Sequence, residues 1–315
     1  MNSSKNSKEY RTSIGGQALI EGIMMRGPKK QAIVVRTKDG LVSKTEELKL
    51  LKDKYPIVGV IFIRGVVNFI NSMTIGVRAI MFSADYIPEE EQDEPSKFDE
   101  WLDKKFGSEK AEKALITISV IIGAALSIGL FMLLPTFLAG FVTKYIENNI
   151  FKNLLEGALR IVIFLSYMWL ATRLNDIKRM WAYHGAEHKT IFCFEKGLPL
   201  TFENVRAQSR LHPRCGTSFL FIVMIVSILV FSLTSWNNVW IRIGLRLLLL
   251  PVVVAISYEI IKLAGRYDNI ITRIVSAPGK ALQRLTTQEP DDDMIETAIE
   301  AMTLVIPEDL KEAEW

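Results

Sequence analysis

The side chains best suited to coordination chemistry gather in one stretch. All three histidines (His184, His188, His212) and both cysteines (Cys193, Cys215) lie within residues 181–216, WAYHGAEHKTIFCFEKGLPLTFENVRAQSRLHPRCG. On a helix, His184, Glu187 and His188 are i, i+3 and i+4 and project from one face. Two imidazoles one turn apart have the spacing that chelates a divalent ion, and H-x-x-E-H is the inverted zincin order, with the glutamate as general base. His212 and Cys215 follow in LHPRCG, where Pro213 ends any helix and Gly216 permits a tight turn. His184 and His188 are the leading ligands. His212, Cys215 and Glu259 compete for the third place, and His212 leads because imidazole suits zinc. Cys193 falls on the opposite helix face and reads as a buried apolar thiol. The competing reading is ordinary hydrogen-bonded packing of the same histidines without a metal.

Zinc with an open position would polarise a carbonyl or phosphoryl oxygen, and Glu187 would shuttle the proton. Arg210 and Arg214 would hold an anionic substrate or lipid headgroup, or serve as ordinary positive charges beside a membrane.

What must position these groups is a mainly α chain with membrane spans. The chain has 315 residues, 49% hydrophobic and 23% charged, which fits a helical membrane part with polar extensions. A net charge of +3 does not suggest a nucleic-acid binder. Apolar runs at 115–142, 154–173, 217–235 and 241–264 read as four spans, with a kink at Pro135. Lys and Arg crowd the 173–216 loop and the segment after the last span. The positive-inside rule therefore places both termini and the histidine loop in the cytoplasm. Glu156 and Arg160 on the second span, and Arg242 and Arg246 on the fourth, read as a structural ion-pair cluster. The sequence from Thr172 through the histidines reads as a continuation of the second span's helix.

Ahead of the spans, residues 1–13 are polar and expected to be loose. Residues 14–50 read as a small antiparallel sheet with a hairpin at Asp39-Gly40. Glu21 either faces solvent on a half-buried strand or points into a functional pocket. Residues 57–83 carry Arg64, Asn68, Asn71, Ser72 and Arg78 on one helical face, which favours an in-plane or re-entrant helix with its polar stripe on protein; a further crossing is the alternative. An acidic linker (88–95) and an interfacial helix bearing Phe98, Trp101, Leu102 and Phe106 come next. The domain reading is 1–56, 57–84, 85–113, 114–265 and a cytoplasmic tail, 266–315, whose amphipathic helix docks on this chain or on a partner.

Three motifs, GGQALIEGIMMRGP, YHGAEHKTIFCFE and LHPRCGTSF, resemble the YqhQ-like family over roughly residues 14–285. These are bacterial multi-pass membrane proteins of unknown function, described as predicted metal-dependent enzymes. The resemblance implies a metal and a catalytic activity, and implies that Glu21 and Arg26 join the same centre beneath the N-terminal sheet. The leading expectation is a metal-dependent hydrolase at the cytoplasmic membrane surface, acting on a lipid or membrane peptide. The rival is a non-catalytic scaffold or biogenesis factor with a membrane-protein partner such as the translocon or the ribosome. A transporter is the weaker third reading.

Overall fold

The computed structural model describes residues 10–48, 55–87, 108–233, 238–267 and 269–314. The acidic linker and the interfacial helix around Trp101 lie outside the described residues. The chain divides into two compact units. One comprises 1–86, 168–227 and 249–315, the other 87–167 and 228–248.

In the first unit four strands, β1 (Gly15–Leu19), β2 (Gly22–Arg26), β3 (Lys30–Thr37) and β4 (Gly40–Glu47), form an antiparallel meander. The hairpin falls at Asp39-Gly40 as expected, with Gly40 at φ 127°. β2 is apolar without alternation because the sheet is covered on both faces. On one face, Leu19, Met24, Ile33 and Val35 pack against Ala79 of helix α1 (Ile63–Ala84). On the other, Ile23, Met25, Ala32 and Val34 meet a cluster of helical side chains that includes Tyr183, Ala186, Ala298 and Met302.

Helix α1 is unbroken over 22 residues, and Arg64 and Asn68 of its polar stripe do pack on protein. Arg64 forms a bidentate ion pair with Glu259, and Asn68 donates to the Tyr258 hydroxyl at 2.8 Å. Arg78 of the same stripe is exposed.

Helix α2 (Ser108–Ile128) runs through a π-helical turn, Gly129–Leu133, into α3 (Leu134–Val142). The irregularity sits just ahead of Pro135, whose missing N–H and ring would otherwise clash with the preceding turn. Helix α4 (Asn149–Ala171) ends at a turn and a new helix, α5 (Asn175–Glu195), begins after extended Leu174 (ψ 130°). The second span and the histidine helix are therefore separate, which corrects the reading of one continuous rod. Short α6 (Phe202–Arg206) is followed by α7 (Gly216–Phe231), α8 (Val239–Arg266), α9 (Ile270–Thr286) and α10 (Asp292–Thr303).

Among the described residues, four helical stretches are long and apolar enough to cross a membrane: Ile63–Ala84, Ala114–Tyr145, Asn149–Ala171 and Trp240–Arg266. They are not the four read from the sequence. The 57–83 segment joins them, whereas 217–235 is realised among the described residues as a 16-residue helix, shorter than the roughly 20 residues a bilayer core needs.

Residues 10–13 depart from the reading of a loose start, and the C-terminal helix takes one of its two expected partners. Thr12 is buried, bridges to Glu314, and donates its N–H to Glu195 at 2.9 Å. Helix α10 docks on this chain, packing on α5 and on β2 and β3.

In the second unit, Glu156, Arg160 and Arg246 are buried together, as their spacing foretold. Arg246 forks both carboxylate oxygens of Glu156, Arg160 reaches it at 3.3 Å, and the Thr136 hydroxyl donates to it at 2.8 Å. A buried carboxylate that loses its partner keeps its desolvation cost. Arg246→Met is therefore expected to destabilise the protein by about 3–5 kcal/mol, while Glu156→Leu/Arg246→Met costs less, as read by thermal unfolding in detergent.

Candidate metal centre

Helix α5 carries His184, Glu187 and His188 on one face, as the spacing requires. Their surroundings come from three distant segments. His184 donates from Nδ1 to the Thr286 carbonyl at 2.8 Å, and its Nε2 stands 3.0 Å from Cys215 Sγ. His188 donates from Nδ1 to the Arg210 carbonyl at 2.5 Å, and its buried Nε2 has no hydrogen-bond partner. A carbonyl only accepts, so each Nδ1 carries a proton and each Nε2 is left to present its lone pair.

Cys215 immediately precedes α7 and its sulfur accepts from the Thr217 N–H and hydroxyl. Burial pushes the thiol up, but neighbouring His188 and the Thr217 bonds outweigh it and leave it below the ordinary value. Donor atoms of His184, His188 and Cys215 lie within 4.8 Å of one another. Two imidazoles oriented by backbone carbonyls, plus one low-lying thiol, are a donor set that suits zinc. The orphaned Nε2 of His188 is the atom in this set that hydrogen bonding within the protein leaves unused.

Glu187 is buried against strand β1. Its Oε1 accepts the Gly16 N–H at 3.0 Å, and its Oε2 has no partner. A Cβ at Gly16 would sit 2.9 Å from the Glu187 carboxyl carbon, so only glycine admits this approach. Burial raises the carboxyl to about 7, with His184 and the Gly16 bond acting the other way. Burial also lowers both His188 and His212.

His212, the favoured third ligand, is not in the donor triad; Cys215 is. The His212 ring lies 5.6 Å from that of His188, but its nitrogens are engaged. Nε2 meets Glu195 at 3.4 Å and Nδ1 accepts the Arg214 N–H at 3.4 Å. Glu259 is held by Arg64 and is likewise absent from the triad.

Glu21 sits in the β1–β2 turn at φ 47°, where Arg179 binds both its oxygens at 2.5 Å and Tyr183 donates at 3.2 Å. Arg26 ends β2 opposite Gly15, and burial lowers its guanidinium. Neither contributes a donor to the triad. Arg210 acts through its carbonyl on His188, while its guanidinium binds Thr287. Arg214 pairs with Glu195. Cys193 packs with Val205 and Ile295, and burial raises its thiol, in keeping with an apolar role.

Three contributors were missed from sequence. Glu195 follows His188 by seven residues, so extending the helical face two turns would have found it. The Thr286 carbonyl carries no sequence signal. Nor does Gln283, whose buried amide accepts the His212 N–H at 2.8 Å and donates to the His212 carbonyl at 2.7 Å.

The model of the family described as "Protein of unknown function (DUF1385)" matches residues 60–308, and the chain belongs to that family. It is 34% identical over 293 residues to "Uncharacterized protein YqhQ" of Bacillus subtilis (strain 168), covering 91% of this chain and 90% of the relative. No solved structure matches.

Two substitutions test how the centre is held. Gly185 packs so closely that a Cβ would lie 2.0 Å from the Gln288 carbonyl oxygen. Gly185→Ala, which would gain about 1 kcal/mol on an exposed helix, is expected to lose about 1–3 kcal/mol here by overpacking, so the sign of the melting shift decides. Gln283→Leu strands two buried backbone groups and is expected to cost about 1–3 kcal/mol for each, read by the same melting measurement.

Proposed function

We propose that this chain is a metal-dependent hydrolase embedded in the bacterial inner membrane. Its zinc centre is held by His184, His188 and Cys215 at the cytoplasmic face, with both termini on that side. The observation that carries the reading is the buried, partnerless Nε2 of His188, whose other nitrogen is fixed by the Arg210 carbonyl. A neutral imidazole buried that way costs free energy unless something accepts its lone pair. The excess of Lys and Arg in the 173–216 loop supports the sidedness. Apolar side chains exposed along the long helices, among them Leu126, Phe137 and Leu248, support burial in lipid.

Zinc at such a site supplies Lewis acidity toward a carbonyl or phosphoryl oxygen and a lowered pKa for water. Glu187 supplies the proton acceptor: Gly16 anchors one oxygen and leaves the other free beside the imidazoles. The Thr286 and Arg210 carbonyls keep both imidazoles in the tautomer that offers Nε2. Substrates consistent with the location are a lipid or a membrane peptide.

A second reading, a membrane scaffold or biogenesis factor with a structural centre, is favoured by one observation. Glu187, His188 and Cys215 are all buried, and structural zinc sites are closed whereas catalytic ones keep an open position.

Elemental analysis of the full-length protein, purified in detergent without chelators, is expected to find one divalent ion per chain. His188→Ala and Cys215→Ser are each expected to lower occupancy at least about tenfold, while His212→Gln retains it. Metal-free wild-type protein would sink the proposal. Glu187→Gln separates the two readings. The metal stays bound in either case, but complementation of a deletion strain at normal protein level is lost for an enzyme and kept for a scaffold.

A further inference from the structure

A second polar site lies in the same unit, beyond His212. It is a cavity of about 740 Å³ whose lining includes five cationic side chains, Arg11, Lys196, Arg214, Arg273 and Lys280, against one carboxylate, Glu195. That carboxylate already accepts bonds from Thr12, Arg214 and His212. Lys280 is half-buried, yet among the described residues it makes no hydrogen bond or ion pair. A lysine ammonium with no partner among the described residues, standing among other cations at the wall of one cavity, is the group that an incoming anion would pair with.

Helix α9 explains where that anion would come from. Thr272, Arg273, Ser276 and Lys280 fall at i, i+1, i+4 and i+8, so they share one face, and all four line the cavity. On the opposite face Ile270, Ile271 and Ile274 are 76%, 71% and 66% exposed. A helix with a polar, basic face along the cavity and bare isoleucines on the opposite face is built to lie in a membrane interface. Tyr10 and Tyr267, also in the lining, add amphipathic rings suited to that depth. The Ser276 hydroxyl alongside guanidinium and ammonium groups makes a donor set that phosphate oxygens select, while the Thr272 hydroxyl is spent on the Asn269 carbonyl in the helix cap.

We propose that this cavity binds a phosphate monoester or diester group, presented by an anionic membrane lipid. The site involves no metal, so its test stands whatever the metal analysis gives. Full-length protein in detergent is titrated with dioctanoyl phosphatidic acid, dioctanoyl phosphatidylcholine and inorganic phosphate, following intrinsic tryptophan fluorescence and native mass spectrometry. Phosphatidic acid is expected to bind and to weaken with added salt. Phosphatidylcholine is expected to bind at least about tenfold more weakly. Lys280→Gln is expected to weaken phosphatidic acid about tenfold, and Lys280→Gln/Arg273→Gln further, with melting temperatures unchanged. Lys30→Gln, an exposed lysine on the sheet, is the charge control and is expected to leave binding intact. Inorganic phosphate binding as tightly as the lipid, with the same loss in the variants, keeps the phosphate site but assigns it to a soluble ligand. Equal affinity of wild type and the double variant for phosphatidic acid, or no binding of either phosphate probe, overturns the proposal.

Discussion

Two backbone carbonyls, those of Arg210 and Thr286, hold the centre together. Each takes the Nδ1 proton of one imidazole and so decides which nitrogen the ring offers inward. Without them, the rings of His184 and His188, whose centroids are 4.3 Å apart, would be free to turn toward other partners. A carbonyl is an unusually firm orienting group, because it cannot donate and so excludes the other tautomer. Much of the surrounding unit can be understood as what brings those two carbonyls into place. Gln283 clasps the backbone of His212 from both sides, and Arg210 reaches across to Thr287. The 210–215 turn and the end of α9 thereby become one hydrogen-bonded piece.

The second requirement is close approach. Glu187 can be buried against β1 only because residue 16 has no side chain. The Gln288 backbone can run along α5 only because residue 185 has none. Gln288 also donates its N–H to the Trp181 carbonyl at 2.9 Å. Gly185 lowers helix propensity, a cost of about 1 kcal/mol relative to alanine. The return is a chain segment packed near enough to supply the Thr286 carbonyl. The sheet, buried on both faces, gives β1 the rigidity to keep the Gly16 N–H aimed at a carboxylate.

Among the described residues, two carboxylates are buried, Glu156 and Glu187, and they follow opposite electrostatic logic. Glu156 is surrounded by Arg246, Arg160 and Thr136, so its charge is matched where it lies. Glu187 receives a single backbone hydrogen bond and one of its oxygens has none, so its charged form is held at a cost. A fully satisfied carboxylate stabilises a fold, whereas an under-satisfied one is a place where chemistry or a ligand is expected.

Local sequence alone determined a good deal. Helical spacing put His184, Glu187 and His188 on one face, Asp39-Gly40 marked the hairpin, and Pro135 marked the irregular turn. Charge spacing put Glu156 and Arg160 one helical turn apart, and the opposite helix face buried Cys193. Each of these depends on residues within a few positions, or on an apolar pattern that one helix or strand repeats. What lay beyond reach was every choice between distant partners. The preference for His212 over Cys215 rested on intrinsic ligand preference, but Glu195 and the Arg214 backbone occupy both His212 nitrogens. Glu259 is held by Arg64 on another helix. The C-terminal residues read as a tail, yet their carbonyl and amide groups complete the surroundings of the imidazoles. Backbone carbonyls look alike at every position, so no pattern of residue types announces which of them will face a histidine. That is settled only when the chain packs and each buried polar group takes the partner within reach.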